Sequence, residues 1–507
     1  MRTRDIERSA TRPWARTSDG LGRLAAVLGA LILVVAACGS GGATAGPSAG
    51  APSASSAGST APSAAASDSA APSDSAAPSD SAAPSDSAAP SDSAAPSDSA
   101  APSGEGSPAA SASTGSSTVQ APAGNVVFEF WTGLTGADGD EMDALVAEFN
   151  SQTPTVKVTL QRLPEYYTQI NNAAAGGTLP AMMIMHIDQL ALYAANGTVQ
   201  PITGLADSIG VSASDYSDAV WAGTMWKGQQ FSIPLDVHPA TLYYNKSIVP
   251  QPPTDQASFE AALKSCKDQG KTGPIWSNHF FSASLLWASL FYQGGGEWTN
   301  ADYSEATFNS DAAVQASNYM RSLIEKGLQP QDVEADAEVS SFESGDSCMA
   351  ITGIWQTTRL SEALGADFGA APIPQIFGKG VWAGSHTLAI AKDVSGDTLQ
   401  GVQYFISWLS ENSAQWAKAG QVPARNSVRE SAEFAAIPNI PDIAAQYPDA
   451  RFPPPIPGSA DMLGGPGGVT EKLLETLVNG GDPKPGLDEA AATYTDILAE
   501  SKAKYGF

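Results

Sequence analysis

A six-residue repeat separates the part of this 507-residue chain that can fold from a part that cannot. From Ser67 to Ser103 the unit Ser-Asp-Ser-Ala-Ala-Pro recurs, with its prolines and aspartates in phase. Proline at that spacing excludes a helix, and the repeat has no large apolar side chain to bury. We therefore predict a disordered stalk over residues 38–123. Its many serines are candidate O-glycosylation sites, and a linker with no further role is the alternative.

The N-terminal segment has the pattern of a cleaved leader. A 14-residue apolar run, Leu24–Ala37, follows six arginines and is shorter than the roughly 20 residues of a membrane-spanning helix. It ends in Val35-Ala36-Ala37-Cys38, which resembles the lipobox of bacterial lipoproteins. The resemblance implies a signal peptide over 1–37 and a lipid on Cys38. We therefore predict a protein anchored to the extracytoplasmic face of the cell membrane, with an uncleaved anchor as the alternative.

The remaining residues, 124–507, are acidic and numerous enough for two hydrophobic cores. A stretch of about 384 residues exceeds what one core usually supports, so we expect two lobes. These residues include 43 acidic and 20 basic side chains, a formal net charge of about −23. Such a charge argues against a nucleic-acid partner, whose phosphates favour a basic surface. It is compatible with a neutral or cationic solute.

Cysteine and histidine usage gives no metal motif. Cys266 and Cys348 remain besides Cys38, and outside the cytoplasm they either form a disulfide or stay as two buried thiols. The four histidines, at 186, 238, 279 and 386, are scattered without ligand spacing. We therefore expect no zinc site and no cofactor.

Apolar periodicity predicts alternating strands and helices, which is typical of an α/β sheet with crossover helices. A Gly-rich turn is expected over 132–139. The predicted strands are 125–131, 156–160, 182–185, 231–234, 240–244, 347–352 and 383–391. The predicted helices are 140–150, 166–175, 190–195, 282–292, 312–326, 402–409, 414–419, 470–478 and 487–504. Ligands of such sheets bind beyond the carboxyl ends of the strands.

Four segments, in order along the chain, resemble the extracellular solute-binding proteins of ABC importers, in the maltose-binding-like carbohydrate family. They are Phe130-Trp131 before a Gly-rich turn, Ile233–Asp236 leading into Leu242–Lys246, Phe342–Ile351 followed by Gly353-Ile354-Trp355, and Gly420–Arg425. The chain departs from the family pattern at His186, where relatives often carry Asp, and in the proline-rich stretch Phe452–Pro457. We expect these departures to affect which sugar the protein selects.

The resemblance implies a two-lobe, type II periplasmic-binding-protein-like fold, with crossing strands between the lobes and a ligand cleft between them. The predicted first lobe comprises about 124–235 and 383–430, and the second about 236–382 with part of the C-terminal region. The implied function is capture of a carbohydrate, most simply an oligosaccharide, for delivery to ABC permease subunits. The family also implies a monomer that is not an enzyme.

Carbohydrates have apolar faces and many hydroxyl groups, so their sites pair aromatic rings with carboxylates, amides and arginine. Each aromatic candidate has core packing as its alternative, Asp236 a role as a turn or hinge cap, and Arg425 a role as an ion-pair brace. The candidate ligand-binding residues are Trp131, Thr135, His186, Asp188, Asp236, His238, Asn278, Trp355, Trp382, His386 and Arg425, with His279 as a further candidate.

The sequence leaves two other functions open. A glycoside hydrolase needs two carboxylates flanking the scissile bond, and no paired acidic motif lies at the predicted strand ends. A binder of another solute, such as a polyamine, a glycerol phosphodiester or a peptide, fits the same fold. No GxSxG or GxxxxGK[ST] motif occurs in the chain.

Overall fold

The computed structural model describes residues 117–278, 280–464 and 467–507. The predicted signal peptide, Cys38 and the six-residue repeat lie outside the described residues.

Residues 117–123, predicted as the end of the stalk, lie against the fold. The amide of Thr118 donates to the carbonyl of Ser208 (2.8 Å), and the hydroxyls of Ser407 and Ser117 are 2.8 Å apart. The boundary at 124 stays a prediction, and these hydrogen bonds show that residues just before it already contact the fold.

Within the described residues, the first sheet has five strands, in the order Val156–Arg162, Val126–Thr132, Met182–His186, His386–Ile390 and Ser232–Pro234. The first three are mutually parallel, and His386–Ile390 runs antiparallel to both of its neighbours. Alternate residues of the first strand are buried, and Phe130 packs edge-on against Phe405 at 5.8 Å. This alternation fixes the face of the strand that joins the core.

The second sheet is built around one long, buried strand, Asp236–Asn245. Met349–Gly353, Phe368–Ala371 and Val381–Gly384 pair with it in antiparallel orientation. Val422–Pro423 also pairs with it, and Ala450–Arg451 adds a parallel strand to Val381–Gly384. The predicted lobe ranges place residues 422–423 in the first lobe, whereas their backbone pairing puts them in the second sheet. A small hairpin joins Met225–Trp226 and Gln229–Gln230.

Helices cover both sheets. Each predicted helix is present with shifted ends, whereas Gln256–Asp268, Ala337–Glu343, Thr357–Leu364 and most of the short helices were not predicted. The predicted turn over 132–139 contains a helix start at Gly136, whose positive φ of 53° favours glycine. The longer helices are Gly136–Gln152, Tyr166–Gly176, Ile187–Ala195, Gln256–Asp268, Phe280–Gln293, Asp311–Glu325, Ala337–Glu343, Thr357–Leu364, Gly396–Glu411, Val469–Asn479 and Lys484–Tyr505. Shorter ones are Leu205–Ser208, Asp218–Gly223, Ser413–Trp416, Asn426–Arg429, Ala432–Ala435, Ile440–Ala444 and Ser459–Gly464.

Two single residues carry the chain from one sheet to the other. Leu235 separates Ser232–Pro234 from Asp236–Asn245, and Ser385 separates Val381–Gly384 from His386–Ile390. The amide of Leu235 donates to the carbonyl of His386 (2.8 Å), which ties the two crossings together. The prediction of one continuous strand over 383–391 is wrong, because the backbone changes hydrogen-bonding partners at Ser385.

The two remaining cysteines pair. Cys266, on the helix Gln256–Asp268, and Cys348, just before the strand Met349–Gly353, form a disulfide with their Cα atoms 6.1 Å apart. Of the two alternatives that the sequence left open, the structure shows the disulfide and not two separate buried thiols. No helix in the described part of the chain has both the length and the apolar character needed to span a membrane.

Candidate ligand-binding site

A cavity of about 560 Å³ opens where the two sheets meet. The first sheet contributes the residues after its strands, including Thr135, Asp138 and His186. The second contributes His238, Trp382 and Gly384 from its strands and Trp355 from the turn that follows Met349–Gly353. Pro453 and the helix Ser459–Gly464 close another side, so the proline-rich departure from the family pattern does reach the cavity.

Asp236 lies beneath the cavity and organises two of its histidines. Its Oδ2 accepts from Nδ1 of His386 and from Nε1 of Trp416, both at 2.7 Å. Its Oδ1 accepts from the backbone amide of His386 at 2.8 Å and faces Nδ1 of His238 at 3.3 Å. Burial alone would raise the pKa of Asp236, but the neighbouring His386 and His238 hold that pKa far below its usual range. The carboxylate is therefore a charged, fully bonded support for the two rings.

The three imidazoles of the cavity differ in the direction of their net pKa shift. Burial and the adjacent histidine rings lower the pKa of His186 well below its usual value. Burial also lowers the pKa of His238. For His386 burial acts in the same direction, but the charge of Asp236 and its hydrogen bond raise the pKa above the ordinary value. His386 and Asp236 thus form a compensated pair, while His186 and His238 are neutral near pH 7.

Tyr167 holds His186 from the other side. Its hydroxyl lies 2.7 Å from Nδ1 of His186 and accepts from the backbone amide of His186 at 2.9 Å. The ring centroid of His386 is 4.9 Å from that of His186 and 4.6 Å from that of His238. Since each Nδ1 faces Asp236 or Tyr167, Nε2 is the ring nitrogen left to bond a ligand.

The same cluster bears on the expectation of no metal site. Donor atoms of Asp236, His238 and His386 lie within 4.8 Å of one another, a grouping that could hold a metal ion. Sequence spacing does not exclude such a grouping, because strand pairing brings together histidines that are far apart in the chain. Both oxygens of Asp236 are already engaged by hydrogen bonds, so a cation there would displace existing partners.

Two tryptophans supply apolar surface to the cavity. Trp355 is partly exposed and Trp382 is buried, and the ring of His238 lies 6.2 Å from each. A Cβ atom at Gly353 would lie only 2.0 Å from the Trp355 ring. Glycine at 353 therefore permits the indole to lie flat against the end of the strand.

The other predicted site residues divide into two groups. Thr135 and Asp188 also line the cavity. Four candidates lie outside the lining: Trp131 donates to Glu129 (3.0 Å), Asn278 donates to the carbonyl of Gln331 (3.0 Å), Arg425 pairs with Asp215 (2.7 Å), and Asp236 is beneath the floor. Arg425 thus takes its alternative role as a brace. His279 lies outside the described residues.

With the geometry established, comparison with known proteins gives the family. The model of the bacterial extracellular solute-binding protein family matches residues 144–442. The chain belongs to this family. Among curated relatives of this solute-binding protein, the maltotriose-binding protein of Pyrococcus abyssi is 21% identical over 389 residues, covering 72% of this chain and 80% of the relative. The maltooligosaccharide ABC transporter solute-binding lipoprotein of Streptococcus pneumoniae is 23% identical over 350 residues, covering 65% and 78%.

Another relative is named for a different ligand. The sn-glycerol-3-phosphate-binding periplasmic protein UgpB of Shigella dysenteriae is 22% identical over 329 residues, covering 58% of this chain and 73% of the relative.

Solved structures give the fold of this solute-binding protein. The GacH receptor of Streptomyces glaucescens superposes with a TM-score of 0.66 at 20% identity, covering 75% of this chain and all of that structure. The cyclic alpha-maltosyl-1,6-maltose binding protein of Arthrobacter globiformis gives 0.62 at 23% identity, covering 74% and 100%. The predicted two-lobe α/β fold is confirmed.

Sequence reasoning missed several residues that line the cavity of this solute-binding protein. Asp138 and Tyr167 lie on the first two helices, and Ser459 and Asp461 lie on a short helix after the proline-rich stretch. The position of Asp138 just after the first strand was a usable signal, because ligands of α/β sheets bind there. Nothing in the local pattern around Asp461 indicates its approach to the cavity.

Proposed function

We propose that this protein captures a carbohydrate, most simply an oligosaccharide, in the cavity between its two lobes and delivers it to the permease subunits of an ABC importer. The observation that carries the proposal is the pairing of Trp355 and Trp382 with hydrogen-bonding side chains in one cavity at the sheet crossings. Indole rings cover the apolar faces of sugars, and carboxylates and imidazoles bond their hydroxyls. The names of the Pyrococcus and Streptococcus relatives, which bind maltotriose and maltooligosaccharides, support the same ligand class.

Location and assembly form part of the same proposal. A lipid on Cys38 would tether the protein to the extracytoplasmic face of the membrane, and the repeat would act as a stalk. The word lipoprotein in the name of the streptococcal relative supports this arrangement. The protein would act as a monomer, bind its ligand without chemical change, and use closure of the two lobes to create the surface that the permease recognises.

A glycerol phosphate is the second candidate ligand, because UgpB is a relative. A phosphate group is usually held by lysine, arginine or a cluster of backbone amides. Among the described residues that line the cavity there is no lysine or arginine, and three aspartates face it. The charge of the cavity therefore favours the carbohydrate over the phosphate.

Calorimetric titration of the purified protein tests the proposal. The panel contains maltose, longer α-glucans, cellobiose, xylobiose, trehalose and glycerophosphocholine. We expect saturable binding of one sugar class, with the sugar recovered intact by mass spectrometry, and strongly reduced binding in Trp355→Ala. Hydrolysed sugar would overturn the assignment as a binding protein, and binding of glycerophosphocholine alone would overturn the carbohydrate assignment.

A further inference from the structure

The cavity is lined by acids that have no basic counterpart. Asp138, Asp188 and Asp461 face it from three different helices. Among the described residues that line the cavity, the basic side chains are histidines only. His186 and His238 are neutral near pH 7, and the charge of His386 is compensated by Asp236 beneath it. The lining therefore supplies no positive charge to stabilise the ionised forms of these acids, and that charge is left to the ligand.

Asp138 is short of one hydrogen-bond donor. Its Oδ2 accepts from Nε2 of Gln421 at 2.9 Å, whereas Oδ1 is buried and has no partner in the part of the chain that the structure describes. The residue is only 7% exposed, and it faces the cavity. A buried carboxylate oxygen without a donor is costly, so the missing donor is expected from the ligand. Burial raises the pKa of Asp138 to about 7, which agrees with an unfilled position.

Asp188 and Asp461 line the cavity on two helices that contact each other, and the charge of Asp461 acts on Asp188. Burial raises the pKa of Asp188 to about 6, and the charge of Asp461 adds to that shift, although the amides at the start of the helix oppose it. Burial also raises the pKa of Asp461. A positively charged group between the two carboxylates would remove both the repulsion and the cost of burying their charges.

Trp382, which lines the cavity, has a hydrogen-bond donor without an acceptor. Nε1 of Trp382 is buried and unpartnered within the described residues, and the ring is 8% exposed. A protonated polyamine has donors only, so it satisfies the carboxylates and leaves this indole unpaired. A neutral sugar satisfies the indole but supplies no counter-charge for the ionised forms of the carboxyl groups. A sugar that bears an ammonium group satisfies both.

We propose that the carbohydrate taken by this cavity carries a protonated amine, either as a free amino sugar or as an amino-substituted unit of an oligosaccharide. The inference rests on the proposed function and narrows its substrate class. The ammonium group bonds Asp138 and the Asp188–Asp461 side, and the sugar ring lies against Trp355 and Trp382. The indole faces also attract a cation.

Titration with sugars that differ only in an amino group separates the effect of ligand charge on affinity from the effect of ligand shape. The purified protein is titrated by calorimetry at pH 6.5 with the β-1,4 trimers of glucose, glucosamine and N-acetylglucosamine, which differ only at carbon 2. Maltotriose and its 6-amino-6-deoxy analogue form an α-linked pair, and spermidine supplies amines without a sugar. We expect an aminated sugar to bind about tenfold or more tighter than its neutral partner, the usual scale of a charge-assisted hydrogen bond.

The outcomes distinguish this inference from the proposed function. Equal or tighter binding of the neutral sugar overturns the amine and leaves carbohydrate capture standing. Binding of spermidine without any sugar overturns carbohydrate capture and retains the cation preference. Failure to bind any member of the panel overturns both.

Variants that replace an aspartate with asparagine, which has the same shape without the charge, show which residue causes the preference for the aminated sugar. Asp138→Asn and Asp188→Asn should reduce the preference for the aminated sugar about tenfold, the scale of one charge-assisted bond. Asp140→Asn lies on the same helix as Asp138 but outside the cavity lining, and it should leave the preference unchanged. Asp188→Asn alone carries the test if Asp138→Asn fails to fold. An undiminished preference in a folded Asp188→Asn variant would overturn the assigned position of the amine.

Discussion

Asp236 and His386 form a hydrogen-bonded pair beneath the cavity, with 2.7 Å between Oδ2 of the carboxylate and Nδ1 of the imidazole. The same carboxylate receives the indole N–H of Trp416, so one buried charge fixes a ring of the cavity floor and a residue of the core. This pair couples the stability of the fold to the shape of the site.

Removing the charge of Asp236 should cost stability and affinity together. Asp236→Asn leaves His386 without its counter-charge in a buried position, and such losses typically amount to about 3 kcal/mol or more. We expect a lower melting temperature and weaker sugar binding, measured by thermal unfolding and calorimetry. The matched control is Asp268→Asn, whose partner Lys264 is exposed, and it should change stability by less than about 1 kcal/mol. Equal effects of the two substitutions would contradict the role of the buried pair.

The raised pKa of Asp138 predicts a specific pH dependence of stability. The folded-state pKa of about 7 lies above the unfolded value of 3.8, so the folded state holds this proton where the unfolded state has lost it. Stability should therefore fall as pH rises from about 4 to about 7, by up to about 1.4 kcal/mol per pH unit from this group. Asp138→Asn removes that contribution. Urea unfolding of ligand-free protein at pH 5 and pH 7 should show a smaller difference in the variant.

Other groups titrate in the same window, including Asp188 and the cavity histidines, but comparison of the wild type with Asp138→Asn cancels contributions that are common to both. An unchanged pH 5 to pH 7 difference would show that Asp138 is already ionised in the folded protein at pH 5.

Gly353 offers a way to move an aromatic ring without deleting it. A methyl group at this position collides with the Trp355 indole, so Gly353→Ala should tilt the ring out of its position. We expect both Gly353→Ala and Trp355→Ala to weaken sugar binding about tenfold or more, on the scale of a lost aromatic contact. Gly176→Ala is the comparison for general glycine effects, because a Cβ there meets only Thr178 at an ordinary 3.6 Å and the residue lies outside the cavity lining. Wild-type affinity in Gly353→Ala would show that the position of Trp355 does not matter.

Arg425 should affect stability without affecting binding. Its Nε donates to Asp215 at 2.7 Å, and Nη1 donates to Ser410 at 3.3 Å, both away from the cavity lining. Arg425→Gln should lower the free energy of unfolding by about 2 kcal/mol, because the partly buried carboxylate of Asp215 loses its charged partner. Sugar affinity, measured well below the melting temperature, should stay within about twofold. A large loss of affinity with unchanged stability would return Arg425 to the site.

The sequence predicted local structure and the edge of the sheet where the site lies. Val126, Phe128 and Phe130 alternate on one face of the first strand, and His186 ends the third strand of the chain, so both the core face and one wall of the cavity followed from local pattern. Trp131 fell outside because alternation turns it away from Phe130 and toward Glu129.

The histidine cluster depended on information that local pattern does not contain. His386 lies opposite His186, and His238 lies opposite Gly384, through antiparallel pairings between strands about 150 to 200 residues apart in the chain. A shift of one residue in either register would move the ring to the other face of its sheet. Such registers are set by packing of the whole fold, which is why the sequence named these histidines as separate candidates but did not show that they cluster.

The most direct test of carbohydrate capture is a crystal structure of the protein with the sugar that calorimetry identifies. The account predicts a sugar ring against Trp355 and Trp382, with ligand donors within hydrogen-bond distance of Asp138 or Asp188. An empty cavity at saturating sugar, or a sugar bound at another surface, would contradict it.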